Sequence, residues 1–185
     1  LPLLEFLLTE LWERRRGGQL THEAYEDMGG VRGAIARRAE ELYGRLASAE
    51  QEQMRKVFAQ LVLPGENTHD SRRRATFDEV GEAARSLVQQ LADARLLVTG
   101  LDEAAGAETV EVAHEALISN WDRLRGWLDE DREFLLWRHR LRLAITEWER
   151  VGKDKGGLLR RAPLAEAEDW LAQRSSDLNQ AEQGY

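Results

Sequence analysis

Residues 110–121 read Val-Glu-Val-Ala-His-Glu-Ala-Leu-Ile-Ser-Asn-Trp, and the periodicity of the chain changes in the middle of this stretch. Up to Ala113, apolar and polar side chains alternate, which is typical of a β-strand with one buried face. From His114 onward, the apolar residues recur at helical spacing. We therefore predict a strand that runs directly into a short helix, with His114 at the junction.

The residues before this junction predict the remaining elements of a small domain. In chain order they are a helix at 49–63 capped by Ser48, a strand at 72–77, a helical turn at 78–80, a helix at 82–94, a strand at 96–99, a flexible tip at 100–106 and the returning strand at 109–113. This order of helices and strands is that of a winged helix. We place the winged-helix domain at residues 48–119.

Helical patterns occupy the rest of the chain. Residues 1–47 predict a helical bundle, which begins with Pro2 in a first helical turn and includes a helix capped by Thr21. Residues 120–185 predict further helices. The expected fold class is therefore mainly α: a helical bundle, a winged helix with a small β-wing, and then further helices. Because the chain opens inside a helical pattern without a methionine, we expect another domain to precede it.

The composition excludes some kinds of site and disfavours some kinds of partner. The chain has 185 residues, a net charge of −8 and no cysteine. Disulfides and thiolate metal sites are therefore excluded, and the charge disfavours binding to nucleic acid or anionic membranes. No apolar run approaches the roughly 20 residues of a membrane-spanning helix. We expect a cytoplasmic protein.

The sequence lacks the motifs of the common catalytic sites. It has no Gly-x-x-x-x-Gly-Lys-Ser/Thr loop to hold phosphates. His114 and Glu115 resemble the start of a zinc-protease motif, but Ile118 stands where the second histidine is required. We therefore predict no catalytic residue, no metal ligand and no enzymatic activity for this chain by itself.

A winged helix also suggests DNA binding. The residues that would face DNA are neutral to acidic on the helix and acidic on the wing: Glu82, Arg85, Gln89, Gln90, Asp93, Asp102, Glu103 and Glu108. Contact with DNA phosphates needs lysine and arginine on that face. The basic run at 72–74 lies instead on the first strand, where it also fits a solvated strand edge. A DNA-binding regulator is therefore the least favoured alternative, and no nucleic-acid partner is expected.

Three stretches, at residues 1–12, 72–76 and 110–132, resemble the novel STAND NTPases, which are signal-transduction ATPases related to NB-ARC and NACHT proteins. The resemblance implies a regulatory segment that senses the ADP or ATP bound by an upstream P-loop ATPase core. It also implies control of activation, homo-oligomerisation on activation, and a downstream sensor that is often a WD-repeat array. The helices of residues 120–185 would then be the linker toward that sensor. The nucleotide would belong to the intact protein and not to this chain alone. The alternative function is a protein–protein adaptor that works without nucleotide.

The resemblance also implies which residues contact the nucleotide. His114 matches the histidine of the Met-His-Asp motif that reaches the β-phosphate of ADP, although Ala113 and Glu115 depart from that motif. Glu115 is expected to cap the helix or pair with an arginine, because a carboxylate repels phosphate. Pro2 resembles the proline that packs on the adenine ring. Two other interpretations stay open: His114 as a buried histidine satisfied by the backbone, and Pro2 as an ordinary first-turn proline.

The roles of two further residue sets also remain open. The resemblance implies a contact with either the phosphate or the ATPase core for the three consecutive arginines: Arg72, Arg73 and Arg74. Five tryptophans are predicted to pack in the core or between helices: Trp121, Trp127, Trp137, Trp148 and Trp170.

Overall fold

The computed structural model describes residues 2–65, 68–103 and 106–185, with side chains described from Leu4 onward. It divides into two compact units, one ending at Glu130 and one beginning at Asp131. Helices dominate both units, and the strands form small antiparallel sheets in the first unit. The predicted mainly α fold class is confirmed. The functional domain boundaries at 47/48 and 119/120 stay predictions.

Three helices open the first unit: α1 (Pro2–Glu13), α2 (His22–Asp27) and α3 (Gly30–Tyr43). Thr21 caps α2 as predicted, because its hydroxyl accepts a hydrogen bond from the backbone N–H of Ala24 at 3.2 Å. Helix α1 packs against α3, whose Ile35 and Ala39 are fully buried. Burial of the apolar face of each helix holds this bundle together.

The next helix, α4 (Ser48–Leu61), begins one residue before its predicted start. Ser48 is therefore the first helical residue and not the cap. The cap is Ala47, whose backbone N–H donates to the carboxylate of Glu50 at 2.9 Å. A glutamate three positions into a helix reaches back in this way, so the helix start is satisfied without a serine hydroxyl.

The predicted strand at 72–77 is wrong as a single element. The segment forms two short strands, β2 (Ser71–Arg72) and β3 (Ala75–Thr76), which belong to different sheets. Strand β2 pairs with β1 (Val62–Leu63). Between β2 and β3, the N–H of Arg73 donates to the carbonyl of Leu61 at 2.8 Å. The chain therefore leaves one sheet at Arg73 and enters the other.

The second sheet consists of β3, β4 (Leu97–Asp102) and β5 (Ala107–Val112); its order is β3-β5-β4 and it is antiparallel throughout. Between β3 and β4 the chain forms α5 (Phe77–Val80), a 3₁₀ turn at Glu82–Ala84 and α6 (Arg85–Asp93), and α6 packs on β4. Strands β4 and β5 form a hairpin. The predicted tip is too long, because Gly100 and Asp102 pair with Thr109 and Ala107. Its residues 104–105 lie outside the described part.

Two helices complete the first unit, α7 (Glu115–Asn120) and α8 (Asp122–Glu130). Helix α7 packs on α3, and α8 packs on α4. Trp121, between α7 and α8, is buried and its ring lies 5.3–6.5 Å from those of Tyr43, Phe58 and Trp127. The predicted packing role of Trp121 and Trp127 is confirmed, with Trp121 in the core and Trp127 half-buried beside it.

The second unit contains the helices α9 (Arg132–Arg150), α10 (Ala162–Arg174) and α11 (Gln180–Gly184) and two 3₁₀ turns, at Lys155–Gly157 and Ser175–Asp177. Its core includes ring contacts among Phe134, Trp137 and Trp170 at 5.3–5.9 Å. Trp148 packs instead on Tyr185 at 5.2 Å. These contacts confirm the packing role predicted for the three tryptophans. Among the described residues, no helix is long and apolar enough to span a membrane.

Candidate functional site

His114 lies where the sequence predicts it, between β5 and α7. Its backbone is extended, with φ −139° and ψ 127°, and it is the residue that caps α7. The carbonyl of His114 accepts the N–H of Leu117 at 2.9 Å, which closes the first helical turn. The imidazole makes no capping bond. The backbone of His114 therefore shapes the junction and leaves the side chain available.

The imidazole of His114 is half-buried and has no hydrogen-bond partner in the described part of the chain. No described side-chain nitrogen or oxygen is both buried and unpartnered. Both ring nitrogens of His114 must therefore reach the surface of the first unit. This contradicts the interpretation of His114 as a buried histidine satisfied by the backbone.

Arg72 lies beside this junction. Its guanidinium Nη1 donates to the carbonyl of Val112 at 3.3 Å, two residues before His114. Helix α7 also packs against β2, the strand that carries Arg72. The structure therefore brings an exposed cation next to the half-buried imidazole.

The two neighbouring arginines are engaged elsewhere. Arg73 donates to the carbonyl of Gln60 at 2.9 Å and forms an ion pair with Glu79. Arg74 lies 3.6 Å from a carboxylate oxygen of Glu111. Within the described residues, Arg72 has no carboxylate partner. The basic run thus separates into two arginines paired with glutamates and one that is available near His114.

Burial lowers the pKa of His114 below its ordinary value, and the positive charge of Arg72 lowers it further. His114 is therefore predominantly neutral at pH 7. A neutral imidazole carries one N–H donor and one acceptor nitrogen. In this state His114 can donate one hydrogen bond to an anion without having to hold a charge in a partly desolvated site.

Two other predictions concern Glu115 and Pro2. Glu115 is the first residue of α7 and is exposed. It makes no cap and no ion pair with any described residue, so the expected pairing with an arginine is wrong. Its place in the first helical turn accounts for it, because negative charge is favoured there. Pro2 begins α1, as predicted, but its side chain lies outside the described part.

Comparison with protein families gives a match to the Novel STAND NTPase 1 family over residues 1–156. The match covers most of the chain and runs from α1 through the junction at His114 to the turn after α9. The chain belongs to this family. Comparison with curated proteins and with solved structures gives no match.

The contact predicted for His114 in the sequence analysis is with the phosphate of a nucleotide. Phosphates are bound in proteins by arginine, by lysine and by N–H donors. Arg72 and His114 supply such donors at one surface of this STAND family chain. Their chemistry fits a phosphate group. The adenine contact expected of Pro2 concerns a side chain that is not described.

Sequence reasoning missed a second cluster in this STAND family chain. Glu40 on α3 accepts a hydrogen bond from the indole of Trp121 at 2.8 Å and also pairs with Arg123 on α8. Arg123 lies over the ring of Tyr43 at 4.1 Å. Glu40 and Trp121 are 81 positions apart, so no local pattern indicates their contact. The cluster anchors the segment that follows the His114 junction.

Proposed function

We propose that this chain is the regulatory segment of a STAND NTPase and senses whether the ATPase core holds ADP or ATP. The core, with its P-loop, would precede this chain in the intact protein. The observation that carries the proposal is His114, whose ring nitrogens reach the surface beside the cation of Arg72. On this proposal, the chain itself is not an enzyme, and the nucleotide is held mainly by the core.

The domain around His114 is proposed to be a winged helix. The element order supports this assignment: α4, a short strand β3, α5 and α6, and then the hairpin of β4 and β5. The sheet order β3-β5-β4 places the first strand beside the last one. Because α6 packs on β4 and α7 follows β5 directly, His114 is fixed to the frame of this domain. Such a domain can move as one body and carry the histidine with it.

The switch follows from differential binding to two states. With ADP in the core, His114 donates to a phosphate oxygen, and the domain stays docked in the inactive state. Exchange of ADP for ATP removes or displaces the hydrogen bond from His114. The state in which the domain is docked on the ATPase core then loses stability, and the domain is released from the core. Release would expose surfaces for homo-oligomerisation. The helices of residues 120–185 would link the domain to a downstream sensor, such as a WD-repeat array, in the cytoplasm.

The charges on α6 support this function over DNA binding. Arg85, the arginine on the face that would meet DNA, pairs with Glu82 and Glu108 at 2.8 Å each. Its guanidinium also lies over the ring of Phe77 at 4.2 Å. An arginine already neutralised by two carboxylates contributes little to phosphate binding. The face is therefore poorly suited to a nucleic-acid backbone.

One observation favours the adaptor alternative. Leu4, Leu8 and Trp12 recur every four residues along α1 and are 46%, 46% and 56% exposed. An exposed apolar stripe of this kind is typical of a surface that binds a partner. The docked ATPase core is one such partner, so the stripe is compatible with both functions. The two functions differ in whether they require His114: nucleotide sensing requires it, and the adaptor does not.

The test is nucleotide content in the intact protein. His114→Ala should lower the ADP retained through purification and raise basal oligomerisation, because the docked state loses a phosphate contact. His22→Ala, at an exposed histidine on α2, is the matched control and should retain ADP like the wild type. Bound nucleotide is measured by chromatography after denaturation, and oligomers by light scattering. Equal ADP content and equal oligomerisation in His114→Ala and wild type would overturn the proposal and favour the adaptor.

A further inference from the structure

We infer that Arg72, unlike Arg73 and Arg74, is a second phosphate-binding residue that acts together with His114. This inference rests on the proposed function and adds to it a residue that the histidine motif does not contain. The ligand it would contact is the terminal phosphate of a nucleoside diphosphate.

The pairing of the arginines distinguishes Arg72. Arg73 is largely buried and binds both Glu79 on α5 and the backbone carbonyl of Gln60 on α4, so its donors link these two helices. Arg74 is balanced by Glu111 on the neighbouring strand. Arg72 donates to the carbonyl of Val112, and this bond uses one of its five N–H groups. No carboxylate in the described part of the chain pairs with this guanidinium. Its positive charge is therefore not offset there and can attract an anion.

Arg72 is held in place at both ends. Its backbone pairs with Val62 in the small sheet of β1 and β2. Its guanidinium is fixed at the end of β5 by the bond to Val112. Because α7 packs on β2, the backbone that positions Arg72 also supports the helix that begins after His114. A side chain positioned in this way loses little freedom when it binds a ligand, which favours affinity.

The charge balance of the site requires a cation. His114 is half-buried and mostly neutral at pH 7, so by itself it offers a phosphate one hydrogen bond and little charge. Glu115, exposed at the next position, adds a negative charge that opposes phosphate binding. Arg72 supplies the permanent positive charge that offsets both effects. Burial, and after it this same charge, lowers the pKa of His114.

The experiment measures binding of ADP and of adenosine to the intact protein, with four variants compared with the wild type. Arg72→Gln should weaken ADP binding about tenfold or more, equivalent to about 1.4 kcal/mol, and leave adenosine binding unchanged. Arg72→Lys should recover part of the ADP affinity, because it restores the charge without the planar donors. Arg74→Gln is the matched control for loss of one positive charge and should change ADP affinity less than twofold. His114→Ala is measured in the same way, because it tests the proposed function on which this inference rests.

The outcomes separate the two proposals. If His114→Ala loses ADP and Arg72→Gln does not, the sensing role of His114 stands and the inference on Arg72 is wrong. If neither variant loses ADP, both proposals fail. If Arg72→Gln weakens ADP and adenosine equally, or if Arg74→Gln weakens ADP as much as Arg72→Gln does, specific phosphate binding by Arg72 is wrong. Selective loss of ADP with partial rescue by lysine supports it.

Discussion

The indole Nε1 of Trp121 donates to Oε2 of Glu40 across 2.8 Å and joins the segment after α7 to helix α3. The same carboxylate accepts from Nε of Arg123 at 2.9 Å, and this pairing, more than the bond to Trp121, holds the pKa of Glu40 below its usual range. Trp121 is only 2% exposed. A buried indole N–H with a single acceptor makes this contact structurally important.

Glu40→Ala should destabilise the first unit by about 2 kcal/mol, because it leaves the buried N–H of Trp121 without its acceptor. Glu40→Gln should cost less, about 1 kcal/mol, because the amide oxygen still accepts from the indole while the charge that binds Arg123 is lost. Glu52→Ala, at an exposed helical glutamate on α4, is the control and should lie within about 0.5 kcal/mol of the wild type. Urea denaturation followed by tryptophan fluorescence measures the differences. Equal stabilities of Glu40→Ala and Glu52→Ala would contradict the expectation.

Stability should also depend on the protonation of His114. The pKa of His114 is lowered in the folded chain, so the unfolded chain binds more protons below about pH 6.5. The contribution of neutral His114 is therefore present above pH 6.5 and is lost as the pH falls from there through the folded pKa. Replacing it with glutamine removes this term, so the free energy of unfolding of His114→Gln should fall less than that of the wild type between pH 7.5 and 5.5. Parallel pH profiles for the two proteins would refute the predicted linkage.

The pKa of His114 should respond to Arg72 and not to Arg74. Arg72→Gln should raise that pKa, because it removes a nearby positive charge. The pKa should nevertheless remain below 6.5, since burial, the larger cause, is unchanged. Arg74→Gln should leave it as in the wild type, because Arg74 is balanced by Glu111. Titration of the imidazole signals by NMR, assigned with His114→Gln, measures the three values, and an equal rise in both arginine variants would show a general charge effect.

The sequence was most informative where a local pattern determined the structure. Alternation followed by helical spacing correctly placed His114 at a junction, and Thr21 was recognisable as a cap from its neighbours alone. It was misleading at Ser48 and in the 72–77 strand, where distant partners decide the outcome. The N–H of Arg73 bonds to Leu61 and its guanidinium to Glu79, and these bonds divide one expected strand into two.

The same limit applies to the candidate site. A run of three arginines is visible in the sequence, but their different roles are not. Alternation along an extended segment predicts only that Arg73 points away from the other two. Glu79 and Glu111 then pair with Arg73 and Arg74, and these contacts depend on the packing of α5 and β5. Only the tertiary structure shows that Arg72 is the arginine beside His114.

The second unit depends on a buried ion pair between Arg142 on α9 and Glu182 on α11. Their Nε and Oε1 atoms lie 2.5 Å apart, and the side chain of Glu182 is 1% exposed. The other carboxylate oxygen of Glu182 accepts the backbone N–H of Asn179 at 2.9 Å, which starts α11. Removing one partner of such a pair leaves a buried charge without compensation, at a cost of about 3 kcal/mol or more.

Glu182→Ala should therefore detach α11 from α9 and raise amide hydrogen exchange across residues 180–184, whereas the amides of α3 and α4 in the first unit should keep their protection. Glu166→Ala is the control, because Glu166 pairs with Arg140 at 3.2 Å on the surface, where both side chains are about half exposed. A surface pair contributes about 0–1 kcal/mol, so exchange in that variant should match the wild type. The double variant Arg142→Met with Glu182→Leu should regain much of the lost protection, because it removes both charges and retains apolar volume. Exchange measured by mass spectrometry distinguishes these cases, and protection of α11 in Glu182→Ala equal to that of Glu166→Ala would show that apolar packing alone holds the helix.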